Sequence, residues 1–209
     1  MTARFGDGLH PDDRLPFCEE GVRIGAGTVL GRQPYATAAN RRPVSLSDTG
    51  RIGQDTVVGC LCVIYAGVTI GRGCCIGDHA VIREGVRIGN RSVIGANADI
   101  QYGASIGDDV RIQSGVYVVG GAVIGDGSFL APGVYMANDP HLAHSDLGDY
   151  QDRGQVAPVI GRGVFIGLGA LLLPGITIGD GAMIGAGALV TRDVPVGARM
   201  MGMPARERR

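Results

Sequence analysis

The chain has 209 residues and a formal net charge of −1, so it is long enough for one well-cored domain and has no basic field for nucleic acid or an anionic membrane. Its apolar stretches are short, and its first twenty residues contain five carboxylates. We therefore expect a cytoplasmic protein with no secretory signal, no membrane span and no nucleic-acid partner. With 37 glycines and no tryptophan, it cannot fill its core with large rings, so regular backbone stacking must carry the fold.

The chain opens with a predicted N-terminal arm, residues 1–20, which has no periodic pattern. Ile24 and Leu30 then begin a six-residue rhythm, but they are out of phase with Ile52, where the rhythm resumes. Residues 32–51 must therefore leave the repeat and return. This polar segment, RQPYATAANRRPVSLSDTGR, is interpreted most simply as a surface loop; the alternative is an arm over a neighbouring subunit or an anionic substrate, served by Arg32, Arg41 and Arg42.

From residue 52 onward, large apolar side chains recur at every sixth position, with one interruption. A helix would need a period of 3.6 and a half-buried strand a period of two, so a strict six predicts a short strand and a turn, repeated. The positions are Ile52, Val58, Ile64, Ile70, Ile76, Ile82, Ile88, Ile94, Ile100, Ile106, Ile112, Val118, Ile124, Leu130 and Met136, and then Ile160, Ile166, Leu172, Ile178, Ile184, Val190 and Val196.

The glycines reveal how many strands make one coil. A glycine usually follows the apolar residue directly, but at every third step another residue stands there: Tyr65, Arg83, Gln101, Val119, Ala137, Leu173 and Thr191. One corner in three thus uses a different turn, and the true period is eighteen residues. The sequence predicts an all-β fold, a parallel β-helix of about eight triangular coils with two excursion loops.

Four of the five cysteines fall within the repeat, where small apolar residues are wanted: Cys60, Cys62, Cys74 and Cys75. An odd total and this placement favour reduced packing residues over a disulfide or zinc framework. This interpretation agrees with a cytoplasmic location.

A second excursion is predicted over residues 137–159, because the repeat would require apolar residues where Gly148 and Gly154 stand. Long loops without regular structure are uncommon in compact domains and are often functional. This one contains two of the four histidines, His141 and His144, together with Asp139 and three further aspartates.

The eighteen-residue period also places polar residues in one column beside this loop. Asn138 should lie over Gly120, Tyr102 and Glu84, and Ala137 over Val119, Gln101 and Arg83. We call this column of residue pairs (83–84, 101–102, 119–120 and 137–138) the polar corner. It is either a second turn type on a solvated edge or a binding site, and from it we select Glu84, Gln101 and Tyr102 as candidate substrate-binding residues.

The tandem [LIV]-G-x-x-[small]-x pattern, the LPG motif and the ending GAGALVTRDVPVGARMMGMPAR resemble the hexapeptide-repeat acyltransferases over residues 21–206, which leaves 207–209 as a tail. The resemblance implies left-handed winding of the β-helix, acetyl-CoA or another acyl-CoA as cosubstrate, and a homotrimer with sites at subunit interfaces. It also implies a small acceptor, an amino- or hydroxy-sugar that includes nucleotide-linked sugars.

The same resemblance assigns coenzyme A contacts near the end of the chain. The family's Thr-Lys-Asp appears as Thr191-Arg192-Asp193, and its Gly-x-Pro-Ala-Lys tail ends in Arg206, so both arginines are expected near the coenzyme's phosphates; the alternative is ordinary surface charge. A pantetheine arm needs a slot lined by small residues, for which the candidates are Gly169, Ala170, Gly187 and Ala188.

The candidate catalytic base lies in the second excursion. Galactoside and maltose acetyltransferases, which this chain resembles near its second excursion, carry a His-Pro pair, whereas the order here is Asn138-Asp139-Pro140-His141. We select His141 as general base because imidazole accepts protons near neutral pH, with Asn138 and Asp139 as its catalytic neighbours. The alternative follows nucleotide-sugar N-acyltransferases, in which a sugar amine needs no protein base and Asn138 is the main polar contact.

Two other classes remain open. A zinc lyase of the γ-carbonic anhydrase type would need three histidines on one metal, and His79, His141 and His144 lack that family's His-x4-His spacing, so we expect no metal. A non-catalytic scaffold would predict neither the histidine-bearing loop nor the tail motif.

Overall fold

The computed structural model describes residues 4–5, 18–35, 50–140 and 156–207. These residues form 26 short strands joined by turns, and none of them lies in a helix. In chain order the strands are β1 (Arg4–Phe5), β2 (Arg23–Ile24), β3 (Val29–Arg32), β4 (Arg51–Ile52), β5 (Val57–Val58), β6 (Val63–Tyr65), β7 (Thr69–Ile70), β8 (Cys75–Ile76), β9 (Val81–Ile82), β10 (Arg87–Ile88), β11 (Val93–Ile94), β12 (Asp99–Ile100), β13 (Ser105–Ile106), β14 (Arg111–Ile112), β15 (Tyr117–Val118), β16 (Val123–Ile124), β17 (Phe129–Leu130), β18 (Tyr135–Met136), β19 (Val159–Ile160), β20 (Phe165–Ile166), β21 (Leu171–Leu172), β22 (Thr177–Ile178), β23 (Met183–Ile184), β24 (Leu189–Val190), β25 (Arg199–Met201) and β26 (Arg206–Glu207).

The strands stack into three sheets, one for each side of a triangular column. Face 1 has the order β1-β2-β5-β8-β11-β14-β17-β20-β23-β25-β26, face 2 runs from β4 to β22 in steps of three strands, and face 3 runs likewise from β3 to β24. Within the regular coils each strand pairs in parallel with the strand eighteen residues away, as Ile94 does with Ile76 and Ile112. The predicted parallel β-helix of about eight triangular coils is confirmed.

The apolar column fills the interior of the prism from Ile52 to Val190, whereas Val196, which continues the same rhythm in the sequence, is 76% exposed. Ile94, Ile100 and Ile112 are completely buried, and the small residue four positions after each of them belongs to the same core. Where that small residue is polar, it ties neighbouring coils together: the Thr56 hydroxyl donates to the Gly71 carbonyl oxygen at 2.8 Å and accepts from the Cys74 amide at 3.0 Å. These contacts satisfy buried polar groups that a purely apolar core would leave unpaired.

The cysteine interpretation holds only in part. All five thiols are free, and Cys62 and Cys74 are buried, with Sγ atoms that contact the Gly77 and Gly89 carbonyl oxygens at 3.2 and 3.0 Å. Cys60 and Cys75 are exposed, because one stands outermost in a corner and the other at the outward position of a two-residue strand. They are therefore not packing residues within this chain.

Both ends of face 1 are finished by an extra strand. At the N-terminal end β1 pairs in parallel with β2, and Cys18 bridges to Ile52, so stacking starts before residue 21. At the C-terminal end β26 turns back and pairs antiparallel with β25. Extra strands of this kind cover edges that would otherwise expose unpaired backbone groups.

Both excursions leave the column at the same corner, between face 3 and face 2. The first lies between β3 and β4, and the second between β18 and β19. The second leaves after Asn138 and returns at Val156, whose amide donates to the Asn138 carbonyl oxygen at 2.9 Å. Within the described ranges no helix is long and apolar enough to cross a membrane.

Candidate active site

The polar corner is a stacked column, as the eighteen-residue period predicts. The Gly103 amide donates to the Glu84 carbonyl oxygen at 3.0 Å, and the Gly121 amide donates to the Tyr102 carbonyl oxygen at 2.9 Å. One coil later the pattern changes: the Asn138 side-chain amide, Nδ2, donates to the Gly120 carbonyl oxygen at 3.1 Å. Asn138 therefore completes the ladder at the point where the backbone leaves it.

This contact gives Asn138 a structural role beside any catalytic one. Its side chain is buried, only 8% of the residue being exposed, at the root of the second excursion. A side-chain amide has two N–H protons and an accepting oxygen, so it can make several hydrogen bonds at once. Asp139 follows at the half-buried next position. His141 and His144 lie outside the described residues.

Tyr102 lies flat against the backbone of the next coil. A Cβ atom on Gly120 would stand 2.6 Å from Cζ and 2.8 Å from each Cε of the Tyr102 ring, closer than side chains pack. The φ angle of Gly120 is not in the left-handed region, so the ring and not the turn requires a glycine here. The absence of a side chain at Gly120 thus leaves room for the Tyr102 ring against the next coil.

Glu84 is a buried carboxylate whose charge is balanced within the corner. It is only 7% exposed, and its Oε2 and Oε1 accept from Nε and Nη2 of Arg83 at 2.9 and 3.4 Å. The Arg83 guanidinium also lies over the Tyr65 ring, with 4.6 Å from Cζ to the ring centroid. Arg83 therefore contacts both a carboxylate and an aromatic ring.

Gln101 binds a carboxylate that sequence reasoning missed. Its Nε2 donates to Oδ1 of Asp99 at 2.7 Å. Burial raises the pKa of Asp99 above its ordinary value, while Gln101 and the positive charge of Arg83 oppose the rise. Asp99 is the one charged residue among the outward positions of face 3 between β6 and β24. This difference from its neighbours is visible in the sequence and could have identified Asp99 as a candidate.

Apolar side chains surround the root of the second excursion on both adjoining faces. Those that are at least 39% exposed are Val123, Tyr135, Val156, Val159, Leu171 and Leu173. Tyr135 and Leu171 are register partners on face 3, and Val123 and Val159 are register partners on face 2. The corner is thus polar on its N-terminal side and apolar around and beyond Asn138.

The predicted coenzyme residues lie in the last coils. Gly169 and Gly187 are exposed turn residues, whereas Ala170 and Ala188 are completely buried, so the methyl groups of these two alanines offer no surface to a ligand. Thr191 and Arg192 are exposed and continue the corner that holds the polar residues, directly after β24. Arg206 is exposed in β26 and donates to the Ala205 carbonyl oxygen at 3.0 Å.

A cavity of about 330 Å³ lies away from these residues, on face 2 and the corner that follows it. Its polar lining is organised by Glu19, which accepts from Arg51 and from the Gln54 amide at 2.7 and 3.0 Å. In the part of the chain that the structure describes, no three His, Cys, Asp or Glu side chains are grouped so that they could hold a metal.

Comparison with known families matches the repeat itself. The family described as "Bacterial transferase hexapeptide (six repeats)" matches residues 50–84, 103–138 and 157–192, which is more than half of the chain. This chain belongs to that family. A second hexapeptide family, described as a repeat of succinyl-transferase, matches residues 85–120. The matched ranges include residues 83–84, 119–120 and 137–138 of the polar corner, and residues 101–102 lie in the second match.

Individual relatives cover less of the chain or are more distant. Nodulation protein L of Rhizobium meliloti is 71% identical over 49 residues, which are 23% of this chain and 27% of that protein. WeeI of Acinetobacter baumannii is 28% identical with a TM-score of 0.51, over 61% of this chain and 54% of that one. The matches therefore span about a quarter and about half of these relatives. A UDP-N-acetylglucosamine acyltransferase of Campylobacter jejuni, 17% identical over 92% of this chain and 71% of its own, has a TM-score of 0.55 and shares the fold.

Proposed function

We propose that this transferase moves an acyl group, in the simplest case acetyl, from coenzyme A to an amino- or hydroxy-sugar, including nucleotide-linked sugars. One observation carries the proposal: a hexapeptide transferase prism brings Glu84, Tyr102 and Asn138 into one column, at the root of the loop that contains His141. A sugar presents several hydroxyl or amine groups, and a column of carboxylate, phenol and amide groups can pair with them.

The distribution of polar and apolar side chains along the corner supports a spatial arrangement for the two substrates. The polar residues lie on the N-terminal side of Asn138, where a sugar would exchange its hydrogen bonds with water for bonds to side chains. The apolar surface and the exposed Thr191 and Arg192 lie on the C-terminal side. The acceptor therefore binds along coils of 83–120 and the acyl donor along coils of 156–206, and the two meet at Asn138.

In the reaction, the acceptor oxygen or nitrogen attacks the thioester carbonyl carbon. Its bond to carbon forms as the carbon–sulfur bond breaks, and the acceptor's proton passes to the leaving thiolate. His141 carries that proton if it is the general base; with a neutral amine acceptor no protein base is required. Asn138 then positions the acceptor or the carbonyl oxygen.

The apolar surface around the second excursion also supports a homotrimer, as the family resemblance implies. Exposed apolar patches on this scale commonly mark protein interfaces. A second copy would cover Tyr135, Leu171 and Val159 and complete the site at the subunit boundary. Light scattering should give about 65 kDa, three times the chain mass of 21.6 kDa, and a monomer mass at micromolar concentration would contradict this part.

The main experiment follows release of free coenzyme A thiol from acetyl-CoA with a panel of amino and hydroxy sugars. Removal of a true general base lowers the rate about 10²- to 10⁴-fold, so His141→Ala should fall in that range while His144→Ala does not. If His141→Ala stays within about threefold of wild type, histidine leaves the mechanism and the amine acceptor becomes the better reading. A wild type that transfers acetyl to none of the sugars refutes the proposed acceptor class.

Asn138→Ala needs a control that loses similar hydrogen bonds elsewhere. Asn90 is suitable, because its amide accepts from the Arg72 backbone at 3.1 Å and donates to Asp108 at a different corner. Asn138→Ala should lower turnover far more than Asn90→Ala at comparable thermal stability. Equal losses of turnover in the two variants would mean that Asn138 acts only through its structural contact with Gly120.

The donor side is tested by calorimetry with coenzyme A. Charge-assisted contacts to phosphate contribute about 1.5–3 kcal/mol each, so the double change Arg192→Ala with Arg206→Ala should weaken binding at least tenfold. Both side chains are exposed, so the fold should survive. Unchanged affinity would refute these two contacts.

A further inference from the structure

The root of the first excursion is tied to the polar corner by an alternating stack of tyrosine and arginine. The Arg32 guanidinium donates to the Tyr35 hydroxyl, and its Cζ stands 4.9 Å from the Tyr35 ring centroid and 5.8 Å from that of Tyr65. The same Tyr65 ring receives Arg83 at 4.6 Å. Arg83 in turn holds Glu84 through Nε and Oε2 at 2.9 Å. The stack thus runs without a gap from Tyr35 to a buried carboxylate.

The backbone places Arg32 where this stack requires it. β3 pairs with β6 in regular register through Leu30, and then a bulge brings Arg32, not Gly31, opposite Tyr65. The Arg32 carbonyl oxygen accepts from the Ala66 amide at 2.9 Å, which fixes the bulge. Bulges of this kind re-aim a side chain at the edge of a sheet. Here the re-aimed side chain is the arginine that covers Tyr65.

The Tyr65 ring contacts two guanidinium groups, with its centroid 5.8 Å from Cζ of Arg32 and 4.6 Å from Cζ of Arg83. The negative face of an aromatic ring attracts a cation at such distances. Without the ring, Arg83 would keep its carboxylate partner but lose this second contact. Glu84 is only 7% exposed, so the pairing with Arg83 compensates its charge and helps to hold its orientation.

We propose that Arg32, Tyr65 and Arg83 are positioning residues that set acceptor recognition by fixing the Glu84 carboxylate and the root of the first excursion at the polar corner. This inference rests on the proposed function, in which Glu84 accepts hydrogen bonds from the hydroxyl or ammonium groups of the acceptor. The root of the first excursion, Arg32 to Tyr35, then belongs to the acceptor side of the enzyme, and the acyl donor does not depend on it.

The test compares Tyr65→Ala with Tyr65→Phe, since phenylalanine keeps the ring face and removes only the hydroxyl. With contacts of the cation–π type lost on both sides, Tyr65→Ala should raise the acceptor KM about tenfold, while Tyr65→Phe stays within about threefold. The KM for acetyl-CoA and the melting temperature should barely change. Arg83→Gln should act as Tyr65→Ala does, and Arg91→Gln, which breaks an exposed pair with Asp109 at another corner, should leave both KM values unchanged.

A second readout needs no enzymatic activity. Trypsin cleavage after Arg32, whose guanidinium lies over the Tyr65 ring, should accelerate several-fold in Tyr65→Ala and not in Tyr65→Phe. If wild type acylates no sugar, the proposed function fails, but the rate of trypsin cleavage still tests whether Tyr65 holds the root of the first excursion. The inference is overturned if Tyr65→Ala leaves both the acceptor KM and the cleavage rate unchanged, if both KM values rise together, or if Tyr65→Phe is as damaging as Tyr65→Ala.

Discussion

Replacement of Gly120 by alanine tests whether the Tyr102 ring lies where the polar corner has it. A Cβ atom at residue 120 would approach three atoms of the ring to 2.6–2.8 Å, so the ring must move. The φ angle of Gly120 is not left-handed, so alanine is otherwise compatible with the turn. Two opposite effects on the free energy of unfolding follow from this single methyl group.

The first effect is the clash, since overpacking costs about 1–3 kcal/mol. The second is a gain of about 0.4–1 kcal/mol, because alanine restricts the unfolded chain more than glycine does. The net effect in wild type is therefore a destabilisation of about 0–2.6 kcal/mol, which is less informative than the coupling to Tyr102. In a Tyr102→Ala background only the gain remains, so the cycle should show an interaction of about 1–3 kcal/mol.

Thermal melts of the four proteins measure this interaction. For a chain of this length, about 2–4 °C correspond to each kcal/mol, so the two effects of Gly120→Ala should differ by about 2–12 °C between backgrounds. Protein concentration is held constant, since assembly would shift the midpoint. Gly71→Ala is the control, because its Cβ would meet the Gly89 backbone at 2.7 Å and should destabilise equally in both backgrounds. A Gly120→Ala variant that is equally stabilised with and without Tyr102 would refute the contact.

Three further outcomes are expected. Ile94→Asp should not fold, because Ile94 is completely buried and a carboxylate there would be unpaired; a soluble variant that melts cooperatively would mean the wrong residues face inward. Burial raises the pKa of Asp99, so Asp99 ionises at lower pH in the unfolded chain than in the folded protein, and stability is lost as pH rises. Asp99→Asn should therefore melt above wild type at pH 7, and the difference in melting temperature should shrink as pH falls toward the ordinary pKa of 3.8. A difference that stays constant with pH would contradict the shift. Burial raises the pKa of Cys18 from 9.0 to about 11, so at pH 8 a thiol reagent should label the exposed Cys60 and Cys75 first, and early labelling of Cys18, read by peptide mass, would oppose this.

The coils were predictable because each one repeats the same chemical pattern. Ile76, Ile94 and Ile112 stand eighteen residues apart in the sequence and pair directly in the structure. The same period placed Asn138 over Gly120, and a hydrogen bond joins them. A parallel stack has one register, so counting residues is sufficient wherever the rhythm is unbroken.

The period also contained a signal that the coenzyme assignment did not use. Ala170 and Ala188 stand four residues after an apolar column residue, the same phase as the buried Ala80 and Ala98. Their methyl groups therefore face inward, and a pantetheine slot in these coils must use backbone or neighbouring side chains. The phase of each residue within the six decides its direction before its size matters.

Contacts between coils that are separated by an excursion could not be predicted by counting residues. Arg32 and Tyr65 are register partners 33 residues apart, which is not a multiple of eighteen, because the first excursion and a bulge lie between their coils. The burial of Glu84 was hidden for a related reason: the pattern placed it on the polar corner, but gave no sign of its pairing with Arg83. Tertiary packing, and not periodicity, determines these contacts.

The corner geometry explains why both excursions occur at one edge. At the other two corners a glycine usually follows the apolar residue, and neighbouring coils pack backbone against backbone: a Cβ on Gly53 would lie 2.6 Å from the Gly71 carbonyl carbon. An insertion there would break the contact with the coil on each side. At the third corner side chains such as Arg83 and Gln101 stand in place of that glycine, so adjacent turns are joined by backbone hydrogen bonds without the same close packing of glycine on backbone. The break then needs only local repair, which the Asn138 amide and the Arg32 bulge provide. The corner that tolerates insertions is also the one that carries polar side chains, and a loop-bearing polar edge on a rigid column is where a binding site is expected.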